Sequence, residues 1–175
     1  MPDYTVSHSD GSVDVEHVED VPPAPRTVPL KLRFSRSNSI GSRLIRWFTR
    51  SEYSHVEAEH WLGYRIGATP FGVTKSYHNP VSQLEGDGAY LYKYVTLSHE
   101  QSLRFWTFLG QQVGKPYDWS GLFGFVSNRD WEDPDKWFCS ELMAAGLVQV
   151  GVSLLSEKPA RVTPRDLLVS PLLFG

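Results

Sequence analysis

Cys139 is the side chain in this sequence best suited to act as a nucleophile. It is the only cysteine and lies in the segment "KWFCSELMAAG" (residues 136–146), where an aromatic loop is expected to run into a helix. A thiol at a helix N-terminus faces the positive end of the helix dipole, which favours the thiolate. A lone cysteine is also a common small core residue, so this segment alone leaves both interpretations open.

His55 is the histidine best placed to serve as the base that a cysteine nucleophile needs. It begins the run "HVEAEH", whose strand alternation puts His55, Glu57 and Glu59 on one face. Two residues along a strand are about 6.6 Å apart, within side-chain reach. Glu57 could therefore orient the imidazole, as the acid of a catalytic triad does. The bland alternative is a half-exposed strand with a polar outer face.

The elements that must position these residues follow from the hydrophobic pattern. Alternation predicts strands in "LKLRFS", "YSHVEAEHW", "RIGATPFGVTKSY" and "AYLYKYVTL", with a turn at residues 62–64. Ser98 and Gln101 form a capping-box pattern that predicts a helix ending near Gly114. "CSELMAAGLVQVG" predicts a second helix, closed by Gly151. Together they indicate an α+β domain with helices packed on a small antiparallel sheet.

A further helix is predicted in "SNSIGSRLIRWFTRS", with Ser39 as its N-cap. Its apolar residues share one face and are expected to pack inward: Ile40, Leu44, Ile45 and Phe48. Its arginines lie on the other faces: Arg43, Arg46 and Arg50. The basic face is interpreted as solvated, with ligand binding as the alternative.

Composition limits the classes of function. Residues 1–29 are acidic and Pro-rich and are predicted to be an extended arm or linker, with an arm that orders against a partner protein as the alternative, while residues 30–175 form one domain. The net charge of −3 favours no nucleic-acid partner. The single cysteine excludes an internal disulfide, and the histidines show no metal-ligand spacing, so no metal or other cofactor is predicted. We expect cytoplasmic synthesis, with no signal peptide and no integral membrane segment.

Four segments in the order "YSHVEAEHW", "RIGATPFGV", "GKPYDWSGLFGF" and "WFCSELMAAGL" resemble the circularly permuted branch of the NlpC-type papain-like cysteine peptidases and amidases, in a subgroup common among tailed-phage proteins. The resemblance implies Cys139 as nucleophile and His55 as base. It also implies that Tyr117 and Asp118 lie in a loop beside the substrate cleft. The chain departs from that family at Gly67, where many members carry an acid, and Glu57 is expected to take over the orienting role.

The expected function is a cysteine hydrolase that cleaves an amide bond of peptidoglycan, as a virion or tail-associated component. In this interpretation the N-terminal arm contacts virion or tail proteins. Two alternatives stay open. One is acyl transfer or lipid-ester cleavage at the same Cys–His site, as in relatives of lecithin:retinol acyltransferase. The other is a structural or assembly protein that keeps the fold and has lost activity.

Overall fold

The computed structural model describes residues 27–77, 89–119, 135–154 and 162–175, without the side chain of residue 48. Residues 1–26 of the predicted arm therefore lie outside the described residues. The part of the motif "GKPYDWSGLFGF" that follows Trp119 lies outside them as well. The described strands are β1 (Thr27–Ser35), β2 (His55–Glu59), β3 (Tyr64–Thr69), β4 (Gly72–Tyr77) and β5 (Tyr90–Ser98). The described helices are α1 (Ile40–Thr49), α2 (His99–Gln112), α3 (Cys139–Gln149) and α4 (Pro164–Leu168).

The five strands form one antiparallel sheet in the order β4-β3-β2-β1-β5. β1 is the fourth strand in this order and pairs with β2 on one side and with the edge strand β5 on the other. It begins at Thr27, three residues before the predicted domain boundary. Side chains alternate across β1, so Leu32 and Phe34 enter the core while Arg33 lies on the opposite face. The predicted α+β class, with helices packed on a small antiparallel sheet, is confirmed.

Helices α2 and α3 cover the apolar face of the sheet and pack against each other. Gly146 allows this close approach, because a Cβ at that position would lie 2.8 Å from the Phe105 ring. The largest fully buried side chains of the described core come from both layers: Leu32, Phe34, Val56, Val73, Leu97, Phe105, Leu109, Phe138, Leu142, Met143, Leu147 and Leu167. No helix in the described ranges is both long and apolar enough to cross a membrane.

The orientation of α1 differs from the prediction. Ile40 is 77% exposed and Leu44 is 49% exposed, although both were expected to pack inward. Ile45 packs against the core as predicted, but the rest of the inward side is polar: Ser42 and Thr49 are buried, and the Ser42 hydroxyl lies 2.6 Å from the Ser54 hydroxyl. The helix is therefore held through hydroxyl hydrogen bonds and turns much of its apolar surface outward.

Candidate active site

Cys139 is the first residue of α3, as the sequence predicts. Phe138 precedes it in the N-cap position and offers no side-chain acceptor, while the Phe138 N–H donates to Glu141 Oε2 at 3.2 Å. The thiol is fully buried, and its Sγ lies 3.9 Å from the Ser54 carbonyl oxygen. This contact places Cys139 against the residue that immediately precedes His55.

His55 begins β2 and lies in contact with both predicted partners. Its Nε2 lies 3.7 Å from Glu57 Oε2, which is ion-pair range and longer than a direct hydrogen bond. Burial alone would lower the pKa of His55. Contacts with Cys139 and Glu57, together with the negative charges of those groups, outweigh burial and raise the pKa to about 10. The imidazole beside Cys139 and Glu57 therefore holds its proton more tightly than a free histidine does.

Glu57 is a buried carboxylate held by two arginines. Its Oε1 accepts a hydrogen bond from Arg65 Nη1 at 3.0 Å and lies 3.3 Å from Arg33 Nε. The side chains of the three residues are each only 10–12% exposed. A buried carboxylate needs such partners, because burying a charge without a counter-charge is costly. The two arginines leave Oε2 to face His55 and so fix which oxygen orients the imidazole.

Sequence reasoning did not identify Arg33 and Arg65. Each lies in a strand between apolar neighbours, where a single charged residue resembles a solvated position. The available signal is cross-strand pairing: Arg33 lies opposite Glu57 in the β1–β2 register, and Arg65 lies opposite Glu59 in the β2–β3 register. That register depends on the fold and cannot be read from either strand alone.

Gly67 lies beside Glu57 on the neighbouring strand β3. A Cβ at position 67 would lie 2.7 Å from Glu57 Cβ and 3.4 Å from Glu57 Cα. The missing side chain thus makes room for the Glu57 carboxylate between its arginine partners. Glycine at position 67 therefore goes together with the acid at position 57, because a side chain at position 67 would clash with Glu57.

Tyr117 and Asp118 lie beside this group and are both buried. Tyr117 packs its ring against Phe138, with the ring centroids 5.7 Å apart, and the Asp118 N–H donates to the Trp137 carbonyl at 3.1 Å. Burial raises the pKa of Tyr117, and the charges of Cys139 and Asp118 raise it further. The phenol therefore keeps its proton and can act as a hydrogen-bond donor.

A cavity of about 340 Å³ opens beside His55. Its surface is mostly apolar and is lined from α1 by Gly41, Ser42, Leu44 and Ile45, from the β3–β4 turn by Thr69 and Pro70, and from the loop after α2 by Tyr117 and Trp119. Ser54 and His55 also line it, whereas Asp118 and Cys139 do not. A substrate in this cavity meets the imidazole first and reaches Sγ only by displacing some of the packing around it.

No family model matches this sequence, and no curated protein matches it either. Among solved structures, the chain is similar to the metalloprotein yiiX from Escherichia coli O157:H7, with a TM-score of 0.58 and 22% sequence identity. The match covers 85% of this chain and 96% of that protein. At this identity the likeness shows the fold alone, and that fold is compatible with a papain-like arrangement.

The resemblance to the permuted NlpC-type branch and its tailed-phage subgroup is wrong as a family assignment. No family model supports it, and the similar structure is a bacterial metalloprotein that shows neither a phage link nor a permutation. The resemblance depended on short segments, of which "GKPYDW" and "FCSEL" were the most specific. Segments of five or six residues describe a local turn or helix start, which unrelated chains can share.

Proposed function

We propose that this protein is a thiol hydrolase that cleaves an acyl bond through Cys139, with His55 as the general acid and base. The observation that carries the proposal is the arrangement of three side chains: Cys139 begins α3 and contacts the Ser54 carbonyl, His55 follows Ser54 directly, and Glu57 Oε2 lies 3.7 Å from His55 Nε2. The raised pKa of His55 agrees with this arrangement. A thiolate beside an imidazolium is the activated form of a cysteine nucleophile. A cysteine buried only as a small apolar residue has no need of such a partner.

The proposed reaction has two steps. Proton transfer from Cys139 to His55 gives the thiolate, which attacks the acyl carbonyl carbon and forms a C–S bond. His55 then protonates the leaving amine or alcohol as its bond to the carbonyl breaks. In the second step His55 takes a proton from water, the hydroxide attacks the thioacyl carbon, and the acid leaves as the thiolate is restored.

Negative charge develops on the carbonyl oxygen in both steps and needs donors. The Cys139 backbone N–H at the start of α3 is one candidate, because the first N–H groups of a helix have no intrahelical acceptor. The Tyr117 hydroxyl is the second, since its raised pKa keeps it a donor. Glu57 does not take up a proton in this scheme; it orients His55 and stabilises the imidazolium.

Two classes of substrate are candidates for this site. Cleavage of a peptidoglycan amide, predicted from the sequence, stays the first; its virion setting and the partner of the arm depended on the family resemblance and are not carried forward. An acyl ester or thioester is the second, and the mostly apolar cavity beside His55 favours it, because an apolar acyl chain would gain by leaving water there.

The similar structure yiiX is a metalloprotein, and the described residues of this chain do not offer a comparable set of metal ligands. In the ranges the structure covers, no group of three or more His, Cys, Asp or Glu side chains is arranged to hold one. No step of the proposed reaction is therefore assigned to a metal.

Alkylation and hydrolysis test the proposal together. Iodoacetamide should modify Cys139 of the native protein at pH 7 at least about tenfold faster than it modifies Cys139 of His55→Gln, a comparison in which the thiol is buried in both proteins. Hydrolysis is then measured on purified peptidoglycan and on acyl thioesters of increasing chain length, with Cys139→Ala as the blank. Equal alkylation rates in the native protein and His55→Gln, or equal turnover by Cys139→Ala, would refute the proposal.

A further inference from the structure

Helix α1 carries an outward apolar stripe that its own fold does not bury. Ile40 and Trp47 are 77% and 73% exposed, and Leu44 between them is 49% exposed. With about 100° of rotation per residue, these three side chains fall within about 60° of each other and form a single stripe. We call these three residues the α1 stripe. Exposed apolar groups of this kind mark interaction sites when they are contiguous.

Two further exposed aromatic residues lie around the cavity that α1 lines. Trp119 is 53% exposed and lines the cavity, and Phe71, which follows the cavity residue Pro70, is 96% exposed. Leu44 belongs both to the α1 stripe and to the cavity lining. The apolar surface is therefore continuous from the exposed side of α1 into the mouth of the cavity beside His55.

The charged residues of α1 have one sign. The helix Ile40–Thr49 contains no acid, Arg43 and Arg46 lie on the same flank of the α1 stripe, and Arg50 follows as the C-cap. The cavity residues Gly41 and Ile45 lie on the other flank. An amphipathic helix with aromatic and aliphatic residues on one side and arginines beside them is typical of a surface that lies in the headgroup region of a membrane.

We propose that α1 and the cavity rim dock on an anionic phospholipid surface, with the α1 stripe in the interface and the arginines at the lipid phosphates. The types of side chain on this surface favour a phospholipid surface as its occupant. Arginine binds phosphate oxygens, and tryptophan and phenylalanine partition into the interface. Docking in this orientation turns the mouth of the cavity towards the lipid. The proposal concerns binding alone and stands whether or not Cys139 is a nucleophile.

Vesicle sedimentation with the full chain tests this surface. The protein should bind vesicles that contain about one third phosphatidylglycerol, bind pure phosphatidylcholine vesicles more weakly, and lose most of the difference in about 0.5 M salt. Ile40→Ser with Arg43→Gln should lower the partition coefficient by roughly 50-fold, about tenfold from the lost apolar side chain and about fivefold from the lost charge.

The matched control is Leu103→Ser with Arg104→Gln, which makes the same types of change on the exposed side of α2. The control variant should have a vesicle partition coefficient within twofold of that of the unmodified protein, and both variants should have the same melting temperature as the unmodified protein. No binding to anionic vesicles, or equal loss in both variants, would overturn the proposal. Self-association in vesicle-free buffer that only the α1 variant abolishes would also overturn the proposal, because a second copy of the chain would then occupy this surface. If the protein bound anionic vesicles only after deletion of residues 1–20, the acidic segment would be the occupant of this surface in the full chain, and the proposal would be overturned.

Discussion

The contact between Gly67 and Glu57 makes a sharp prediction for Gly67→Ala. The backbone of Gly67 has no positive φ, so alanine is not strained by conformation alone. Its Cβ would instead lie 2.7 Å from Glu57 Cβ, whereas ordinary contacts begin at 3.4 Å. The two strands or the Glu57 side chain must give way by about 0.7 Å. Because Cβ is fixed to the backbone and Glu57 is held by Arg33 and Arg65, the shift cannot be absorbed by a free rotation.

We expect two measurable results from this substitution. Overpacking of this kind costs about 1–3 kcal/mol, which for a domain of this size lowers the melting temperature by roughly 2–10 °C. The pKa of His55 should also fall from about 10, because displacement of Glu57 weakens one of the two contacts that raise it. Circular dichroism measures the first result, and an NMR titration of the His55 ring measures the second.

Gly110→Ala is the matched control, since a Cβ at position 110 of α2 meets nothing within 4 Å. It should stabilise the protein by up to about 1 kcal/mol through helix propensity and leave the His55 titration unchanged. If Gly67→Ala is as stable as Gly110→Ala and His55 titrates as before, the assignment of Gly67 as the space that admits Glu57 is refuted.

Three further predictions concern the same site. Arg65→Gln removes the 3.0 Å hydrogen bond to buried Glu57 and should cost about 3 kcal/mol in urea unfolding, while Arg65→Lys should recover part of it; equal values for the two would exclude a charge effect. Because the pKa of His55 is raised from 6.5 to about 10, its contribution to stability is fully present below about pH 6.5 and is lost as the pH rises to 10. The free energy of unfolding should therefore fall over this pH range more in the native protein than in His55→Gln. Parallel curves for the two proteins would contradict this prediction. Ser140→Ala leaves the Val162 carbonyl without its 2.6 Å donor and should lower the unfolding free energy by about 1–2 kcal/mol; an unchanged value would show that this carbonyl has another donor.

The elements with strong local signals were predictable from the sequence. The capping box of α2 is present, with Gln101 N–H donating to Ser98 Oγ at 3.1 Å and Ser98 N–H donating to Gln101 Oε1 at 2.8 Å. Helix α3 begins at Cys139 as predicted, and Gly151 follows it with a φ of 78°. These features depend on residues three or four positions apart, so a single chain contains all the information that they need.

Features that depend on distant partners were not predictable. The amphipathic pattern of α1 indicated that one face is apolar but not which face packs inward, because that choice depends on the hydroxyl of Ser54, which lies in the chain after the helix. The arginine pair on Glu57 depends in the same way on strand register. The proximity of Cys139, His55 and Glu57 was expected, although their catalytic roles stay a prediction until turnover is measured.

The pairing of β1 with β5 has a consequence for how the molecule folds. β1 (residues 27–35) pairs with β5 (residues 90–98) at one edge of the sheet, so this ladder closes only across a long stretch of chain, whereas β2, β3 and β4 follow one another as local hairpins. Non-local strand pairing slows folding, because the entropy of closing the intervening loop is lost before the contacts form. We expect the β2–β4 meander to form early and the β1–β5 ladder to limit the rate. The contact between Cys139 and Ser54, 85 residues apart, then forms among the last, after synthesis has passed α3.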